Sequence, residues 1–471
     1  MTHTTGWNRT KIVCTLGPAT DAPGMLEALA REGMGVARVN LSHGDHAEHA
    51  RRIGAVRDTA RRVDSPIAVL ADLPGPKFRI GELPEGARRL DDGARVTLAL
   101  MPARGAELPV RDAELLAALR VGEQVYLADG AIELRVAQAG AGRVECEVLI
   151  GGMVRSGSGI NVPDSELPAL IPTAADRRHL DFALAQGADW IGVSFVQSPE
   201  DLARVRACLP QEDPPLLMAK IEKRRALAAL APIVAAADGV MVARGDLGVE
   251  TDLAAIPLVQ KRIIAAANAA GRPVVTATQM LESMVEHEHP TRAEVTDVAN
   301  ALLDGTDAVM LSAETAVGRF PVPAVRILRR VLAAAEAEYA GAMALERLRD
   351  RAGAPADAVS FAACELAARL DARAIIAPVH EAAVVLAIAR LRPRAPLVAL
   401  TQSEALGHRL AMVRGVAPLL HAGGDERAGL ARAREWLSGR GLAQAGDPAV
   451  LVFVSEPGRG VADSLRTVRL E

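Results

Sequence analysis

The stretch LLMAKIEKRRALAALAPIVAAADGVMVARGD, residues 216–246, holds the repeat from which the fold can be read. Two apolar runs, LLMAKIE (216–222) and GVMVARGD (239–246), flank an Ala/Leu/Arg-rich segment, and both end in charged residues. Short runs that are apolar on both faces and alternate with helical stretches argue for a parallel sheet. The unit recurs. KIVCTLGP (11–18), GVARVNLSHG (35–44), PIAVLADLPG (66–75), WIGVSFV (190–196), PVVTATQ (273–279) and AVMLSAET (308–315) complete a set of eight. Between most of them run segments of helical period, such as APGMLEALAREG and IPLVQKRIIAAANAAG. Eight units is the count of a TIM (β/α)8 barrel. An open doubly wound sheet has fewer, and no G-x-G-x-x-G follows the first strand. In such a barrel function sits at the C-terminal ends of the strands, where this sequence keeps its charges.

Two segments stand outside the repeat. Residues 80–168 fall between the third and fourth units and are rich in Gly and short alternating runs (RVTLAL, QVYLADG, IELRVAQ, RVECEVLIGG). They read as a small β-barrel lid inserted after the third strand, with Pro74, Pro76, Pro163 and Pro168 as stiff hinges. After LERLRDRAGAPADAVS, the runs AIIAP, PLVAL and AVLVFVS alternate with helices, so an α/β domain closes the chain. The expected division is 1–79 and 169–345 for the barrel, 80–168 for the lid and 346–471 for the last domain.

Composition narrows the class of function. The 471 residues are 50% hydrophobic and carry a net charge of −4, which offers no basic footprint for nucleic acid. The four cysteines (Cys14, Cys146, Cys208, Cys364) form no C-x-x-C pair, so neither a zinc site nor a disulfide framework is expected. Cys14, inside KIVCTL, reads as a buried thiol. MTHTTGWNRT has no apolar h-region and no uncharged run of 18 apolar residues occurs, so a cytoplasmic protein with no membrane partner is expected.

The strand tips carry the chemistry. Lys220 and Glu222 lie two apart on one strand and therefore share a face. Burying either without a partner is costly. Asp246 ends the next strand, and two carboxylates at neighbouring strand ends suit Mg²⁺, whose other ligands are water and substrate oxygens. A structural Lys–Glu pair with Asp246 as a helix N-cap is the plain alternative. Other tips hold Arg38, Asn40, Ser42 and His43, then Asp72, Lys77 and Arg79, then Thr278, then Ser312 and Glu314. Arg38 lies within an apolar strand, where an arginine calls for an anion, and Arg79 and Lys220 are expected to converge on the same cavity. Three cations facing one metal suit phosphoryl transfer. In ARGDLG, backbone amides at a glycine before a helix offer a cradle for carboxylate or phosphate.

These segments resemble the pyruvate kinase family. RTKIVCTLGPAT, GVARVNLSHG, MAKIE, GVMVARGDLGVE, TATQMLESM and PTRAEVTDVANALLDGTDAVMLSAETA are similar to its signature segments, in its order and spacing, over residues 9–335. RLRPRAPLVALT extends the likeness more weakly toward the end. The resemblance implies transfer of the phosphoryl group of phosphoenolpyruvate to ADP, giving pyruvate and ATP. It implies that Glu222 and Asp246 hold Mg²⁺ (or Mn²⁺) and that Lys220 stabilises the phosphoryl group as it moves. Arg38 would contact the phosphate and Arg79 the nucleotide phosphates, with Asn40 and His43 nearby. The Gly245 amide, Asp246 and Thr278 would hold the pyruvate end. Thr278, Ser312 and Glu314 would be candidates for the relay that protonates the enolate. A homotetramer is implied as well, since PTRAE resembles an interface loop.

The sequence departs from the family at three places. Many members place Thr-Lys after the third-strand aspartate and a Glu two residues after the next glycine, and they need K⁺. There the ion is held at the positions of Asn40, Ser42, Asp72 and the Leu73 carbonyl. Here DLPGPKFRI puts Leu73 and Pro74 at the Thr-Lys pair and Lys77 at the Glu. A lysine ammonium is a fixed monovalent cation. Lys77 is therefore expected to stand in for K⁺, paired with or oriented by Asp72, and K⁺ is not expected to be required. Ser158 occupies a position where the family commonly has a nucleotide-assisting lysine, which leaves nucleotide preference open. PVHEAAVVLA replaces a hydroxyl-rich effector-phosphate loop, so activation by fructose 1,6-bisphosphate through it is not expected.

Two other functions fit parts of the sequence. A Mg²⁺-dependent lyase of pyruvate or oxaloacetate type on the same scaffold has no need of the lid, Arg79 or Lys220 in this arrangement. A catalytically dead regulatory homologue predicts loss of Arg38, Lys220, Glu222, Asp246 or Thr278, and all five are present.

Overall fold

The computed structural model describes residues 7–100, 107–140, 142–165, 171–338, 355–421, 423, 426–453 and 462–471. The expected domain boundaries at 168 and 345 lie outside the described residues. The eight apolar runs form one closed parallel barrel, with strands Lys11–Thr15, Met34–Asn40, Ala68–Asp72, Trp190–Val193, Leu216–Ile221, Gly239–Ala243, Val274–Ala277 and Ala308–Leu311. Each strand pairs with its sequence neighbours, and the first closes on the eighth with Lys11 opposite Ala308.

Period-two alternation decides what each strand sends inward. Val13, Val36, Leu70, Trp190, Met218, Met241, Val275 and Met310 pack inside the barrel. Their neighbours Cys14, Ala37, Val69, Ile191, Leu217, Val240, Val274 and Val309 pack outward with apolar residues of the surrounding helices, such as Leu29, Val56 and Ile263. Trp190 fills the interior at the sixth strand's first residue, where a Cβ on Gly239 would lie 2.9 Å from its ring. Moving two residues along from the inward apolar set reaches Thr15, Arg38, Asp72 and Lys220. The site is thus the top layer of the barrel interior, made polar by the same alternation that makes the layers below apolar.

The lid is a seven-stranded sheet plus a two-stranded pair, mostly antiparallel, around Leu98, Leu108, Val125, Leu134, Val144 and Cys146. It joins the barrel through Phe78–Arg79, which pairs antiparallel with Gly159–Asn161. The last domain holds a five-stranded sheet in the order Val416–Leu420, Leu397–Thr401, Ala374–Pro378, Pro448–Phe453, Ser464–Arg469. The two strands that the sequence reading leaves unnamed are its edges. One carries Pro418 in its middle, where an edge strand tolerates it, and the other, SLRTVR, is mostly exposed. This domain docks under the barrel: Arg392 pairs with Asp307 at 2.8 Å, and Lys11 donates to the Val416 carbonyl at 2.6 Å.

Candidate active site

Four charged side chains from the second, third and fifth barrel strands form one largely buried cluster. Asp72 Oδ2 accepts from Arg38 through Nε at 2.8 Å, with a second guanidinium nitrogen at 2.7 Å. Asp72 Oδ1 lies 3.1 Å from Lys220 Nζ, and Glu222 Oε1 lies 2.8 Å from the same nitrogen. Arg38 also donates to Thr15 Oγ1 at 3.1 Å. The anion that Arg38 required is therefore Asp72.

Burial opposes the charge on Lys220, but Asp72 and Glu222 outweigh it and hold the ammonium above the ordinary lysine value. Burial pushes Glu222 up to about 7, with Lys220 opposing and the nearby charge of Asp246 adding to the rise. A buried carboxylate whose proton affinity is raised in part by a second carboxylate beside it marks a place where a divalent cation would relieve the repulsion. Glu222 is buried and Asp246 is half-buried, with its carboxylate near enough to be felt. Among the described residues no cluster of three or more His, Cys, Asp or Glu side chains could cage a metal. The donor set that remains fits an ion completed by water and substrate oxygens, as Mg²⁺ is.

The sixth and seventh strand ends meet at Thr278. Its Oγ1 accepts from the Gly245 amide at 2.9 Å and donates to the Ala277 carbonyl at 2.6 Å. Thr278 and Gln279 both take positive φ, 68° and 54°. Such strain in non-glycine residues is typical of sites where surroundings dictate the backbone. Asp246 sits in the first turn of the helix Arg244–Glu250 and makes no cap there, so the plain N-cap reading does not describe it. At the eighth strand, Glu314 is buried and accepts from the amides of Leu281 (3.0 Å) and Ser312 (2.6 Å). Burial raises its proton affinity against those two bonds. The Ser312 hydroxyl oxygen is buried without a hydrogen-bond partner.

Not every expected residue joins this cluster. Lys77 does not pair with Asp72, whose oxygens face Arg38 and Lys220. Its ammonium lies 3.6 Å from Asp129 of the lid and 3.9 Å from Asp246. The pairing expected from sequence is corrected on that point, because Asp72 points into the barrel and Lys77 lies past the Pro-Gly-Pro turn. Arg79 is exposed and donates to the Gly157 carbonyl in the lid at 2.9 Å, rather than converging with Arg38 and Lys220. Asn40 Oδ1 accepts from the Ser42 amide at 3.2 Å, and His43 is exposed, with its carbonyl 2.7 Å from a ring nitrogen of His49. The Leu73 carbonyl accepts from Ser194. The Ser158 hydroxyl accepts from the Arg155 amide at 3.0 Å, closing a lid turn.

Sequence reasoning passed over Ser194 and Phe195. Ser194 Oγ lies 2.7 Å from Lys220 Nζ, and the Phe195 amide donates to Glu222 Oε2 at 2.7 Å. The signal was present as a serine at the end of the apolar run WIGV, the same strand-tip rule that marked the other residues.

The chain's sequence is similar to those of known proteins. The family model described as "Pyruvate kinase, barrel domain" matches residues 7–325, and "Pyruvate kinase, alpha/beta domain" matches residues 357–468. The chain is 41% identical to a pyruvate kinase of Methylorubrum extorquens over 94% of its own length and 93% of that protein's. It is 40% identical to one of Geobacillus stearothermophilus over 87% of this chain and 71% of that protein. A third, from Thermococcus litoralis, is 39% identical over 87% of this chain and 88% of that protein.

Proposed function

The chain belongs to the pyruvate kinase family, enzymes that move the phosphoryl group of phosphoenolpyruvate to ADP, and from that premise we propose how its own residues carry the reaction. Glu222 and Asp246 hold Mg²⁺, or Mn²⁺, between barrel and substrate. Bound there, the ion would supply Lewis-acid neutralisation of the substrate's negative charge. Lys220 brings a cation that stays protonated at any physiological pH, aimed into the barrel mouth, and stabilises the phosphoryl group between donor and acceptor oxygens. Arg38, already oriented by Asp72, binds the phosphate. The Gly245 amide, Asp246 and Thr278 hold the pyruvate end, and the buried Ser312 hydroxyl and Glu314 complete the route by which the enolate regains a proton.

Lys77 takes the place of a monovalent cation, and the reaction runs without K⁺. What supports this is its ammonium 3.9 Å from Asp246, on the hinge and facing the proposed metal ligand. Arg79 and the lid bring the nucleotide phosphates, with Asn40 and His43 beside them. The enzyme acts as a homotetramer in the cytoplasm, and its barrel, lid and C-terminal domain divide close to the expected bounds, except that Phe78–Arg79, expected in the barrel, goes with the lid sheet. Among the described residues no helix is long and apolar enough to cross a membrane.

The observation that carries the reading is the largely buried Arg38–Asp72–Lys220–Glu222 cluster, two cations and two carboxylates gathered at the barrel mouth from the second, third and fifth strands. The test is pyruvate formation from phosphoenolpyruvate and ADP by wild type and Glu222→Gln, with Mg²⁺ and after chelation. Turnover that needs both the metal and Glu222 is expected. Turnover indifferent to both would overturn the metal assignment.

A further inference from the structure

Ser194 stands outside every role assigned so far, yet it joins two of them. It follows the fourth barrel strand and is buried. Its oxygen accepts from Lys220 Nζ at 2.7 Å, and its proton goes to the Leu73 carbonyl at 2.7 Å. The direction is fixed, because an ammonium has three donors and no acceptor. The other two partners of Lys220 are Glu222 and Asp72, both carboxylates. Ser194 is the neutral one of the three.

Leu73 begins the hinge of the lid. Its amide donates to Gly192 at 2.9 Å, and the amide of Gly75 donates to Asp176 Oδ1 at 2.9 Å. Gly75, at φ 68°, lies so close to the Ser194–Phe195 corner that a Cβ there would be 2.9 Å from Ser194 Cβ and 2.7 Å from Phe195 Cδ2. Phe195 itself has φ 58° and gives its amide to Glu222. One two-residue corner thus holds Lys220 and Glu222 on its inner side and the hinge on its outer side.

We propose that Ser194 is a positioning residue for phosphoryl transfer, its hydroxyl fixing the Lys220 ammonium against the base of the lid. The proposal rests on the reading of Lys220 as the cation that stabilises the moving phosphoryl group. A hydroxyl suits the task for a reason of charge. A third carboxylate would take from Lys220 the charge the phosphoryl oxygens need, and an alkyl group would leave both the ammonium and the Leu73 carbonyl short of a buried partner.

The test uses Ser194→Ala and Ser194→Cys, the second keeping the side-chain volume while weakening the hydrogen bond. Loss of one charge-assisted hydrogen bond is expected to lower kcat about 10- to 100-fold. The KM values for phosphoenolpyruvate and ADP should stay near wild type, because the phosphate still meets Arg38. Should Ser194→Ala fail to fold, Ser194→Cys alone decides. A Cys variant with wild-type kcat would overturn the proposal, as would kcat and KM shifting together with a lowered unfolding temperature. An inactive wild type would instead sink the functional reading on which this rests.

Discussion

Replacing Asp72 with Asn removes one oxygen's worth of charge and nothing of the shape, so its cost can be worked from the geometry. Oδ2 meets two guanidinium nitrogens of Arg38, and Oδ1 faces the Lys220 ammonium. An asparagine has one acceptor and one donor end. Whichever way the amide turns, its NH₂ group confronts a cationic donor. The residue is buried, so water cannot relieve the conflict. Removing one partner from a buried ion pair costs about 3–5 kcal/mol. Lys220 keeps Glu222 and Ser194, so part of that cost appears as displacement of Arg38 rather than as unfolding. At about 1.4 kcal/mol per decade, kcat/KM for phosphoenolpyruvate should fall about 10²- to 10³-fold. The assay is steady-state pyruvate formation at saturating ADP, with circular dichroism to show that the variant is folded. An Asp72→Asn enzyme within threefold of wild type and equally heat-stable would refute the argument that this carboxylate holds both cations.

Three further outcomes are expected. Gly75→Ala places a Cβ 2.7 Å from the Phe195 ring at a positive φ, and overpacking of about 1–3 kcal/mol should lower both the unfolding temperature and kcat; an unchanged kcat would separate the hinge from the Ser194–Phe195 corner. Gly239→Ala presses on Trp190 at 2.9 Å in the barrel interior, and should destabilise by about 1–3 kcal/mol without altering KM, read by denaturant unfolding. His408, at the seam of barrel and last domain, is pushed down to about 4 by burial, with Arg57 and Arg61 adding and its bond to the Ile67 carbonyl opposing. Below its unfolded value of about 6.5 the unfolded chain takes up a proton that the folded one refuses, so stability is lost as pH falls from there toward 4, by up to about 1.4 kcal/mol per unit. His408→Gln should flatten that slope. Identical slopes in the two proteins would show that the imidazole is not held neutral.

The barrel was legible because each strand is apolar on both faces and stops at a glycine, polar or charged tip, a pattern local enough to survive without tertiary knowledge. Lys220 and Glu222 could be placed together for the same reason, since two residues apart on a strand means one face. The expected Asp72–Lys77 pairing is not found, because the partner choice of Asp72 is tertiary. Arg38 and Lys220 come to it from the neighbouring second strand and from the fifth, across the barrel mouth, while Lys77, nearer in sequence, lies beyond a Pro-Gly-Pro turn toward Asp129 and Asp246. Arg79 was drawn into the cation cluster by its position at a tip, but it belongs to the lid's first strand. The edge strands of the last domain, one with Pro418 and one largely exposed, lack the continuous apolar run on which recognition of a buried strand depends.

The measurement that bears most directly on the account is the rate of pyruvate formation from phosphoenolpyruvate and ADP with Mg²⁺, taken with and without K⁺ in a sodium-free Tris background. Equal rates in the two conditions are expected, because Lys77 brings its own cation to the site. Turnover that appears only when K⁺ is added would leave the kinase standing and contradict the role given to Lys77.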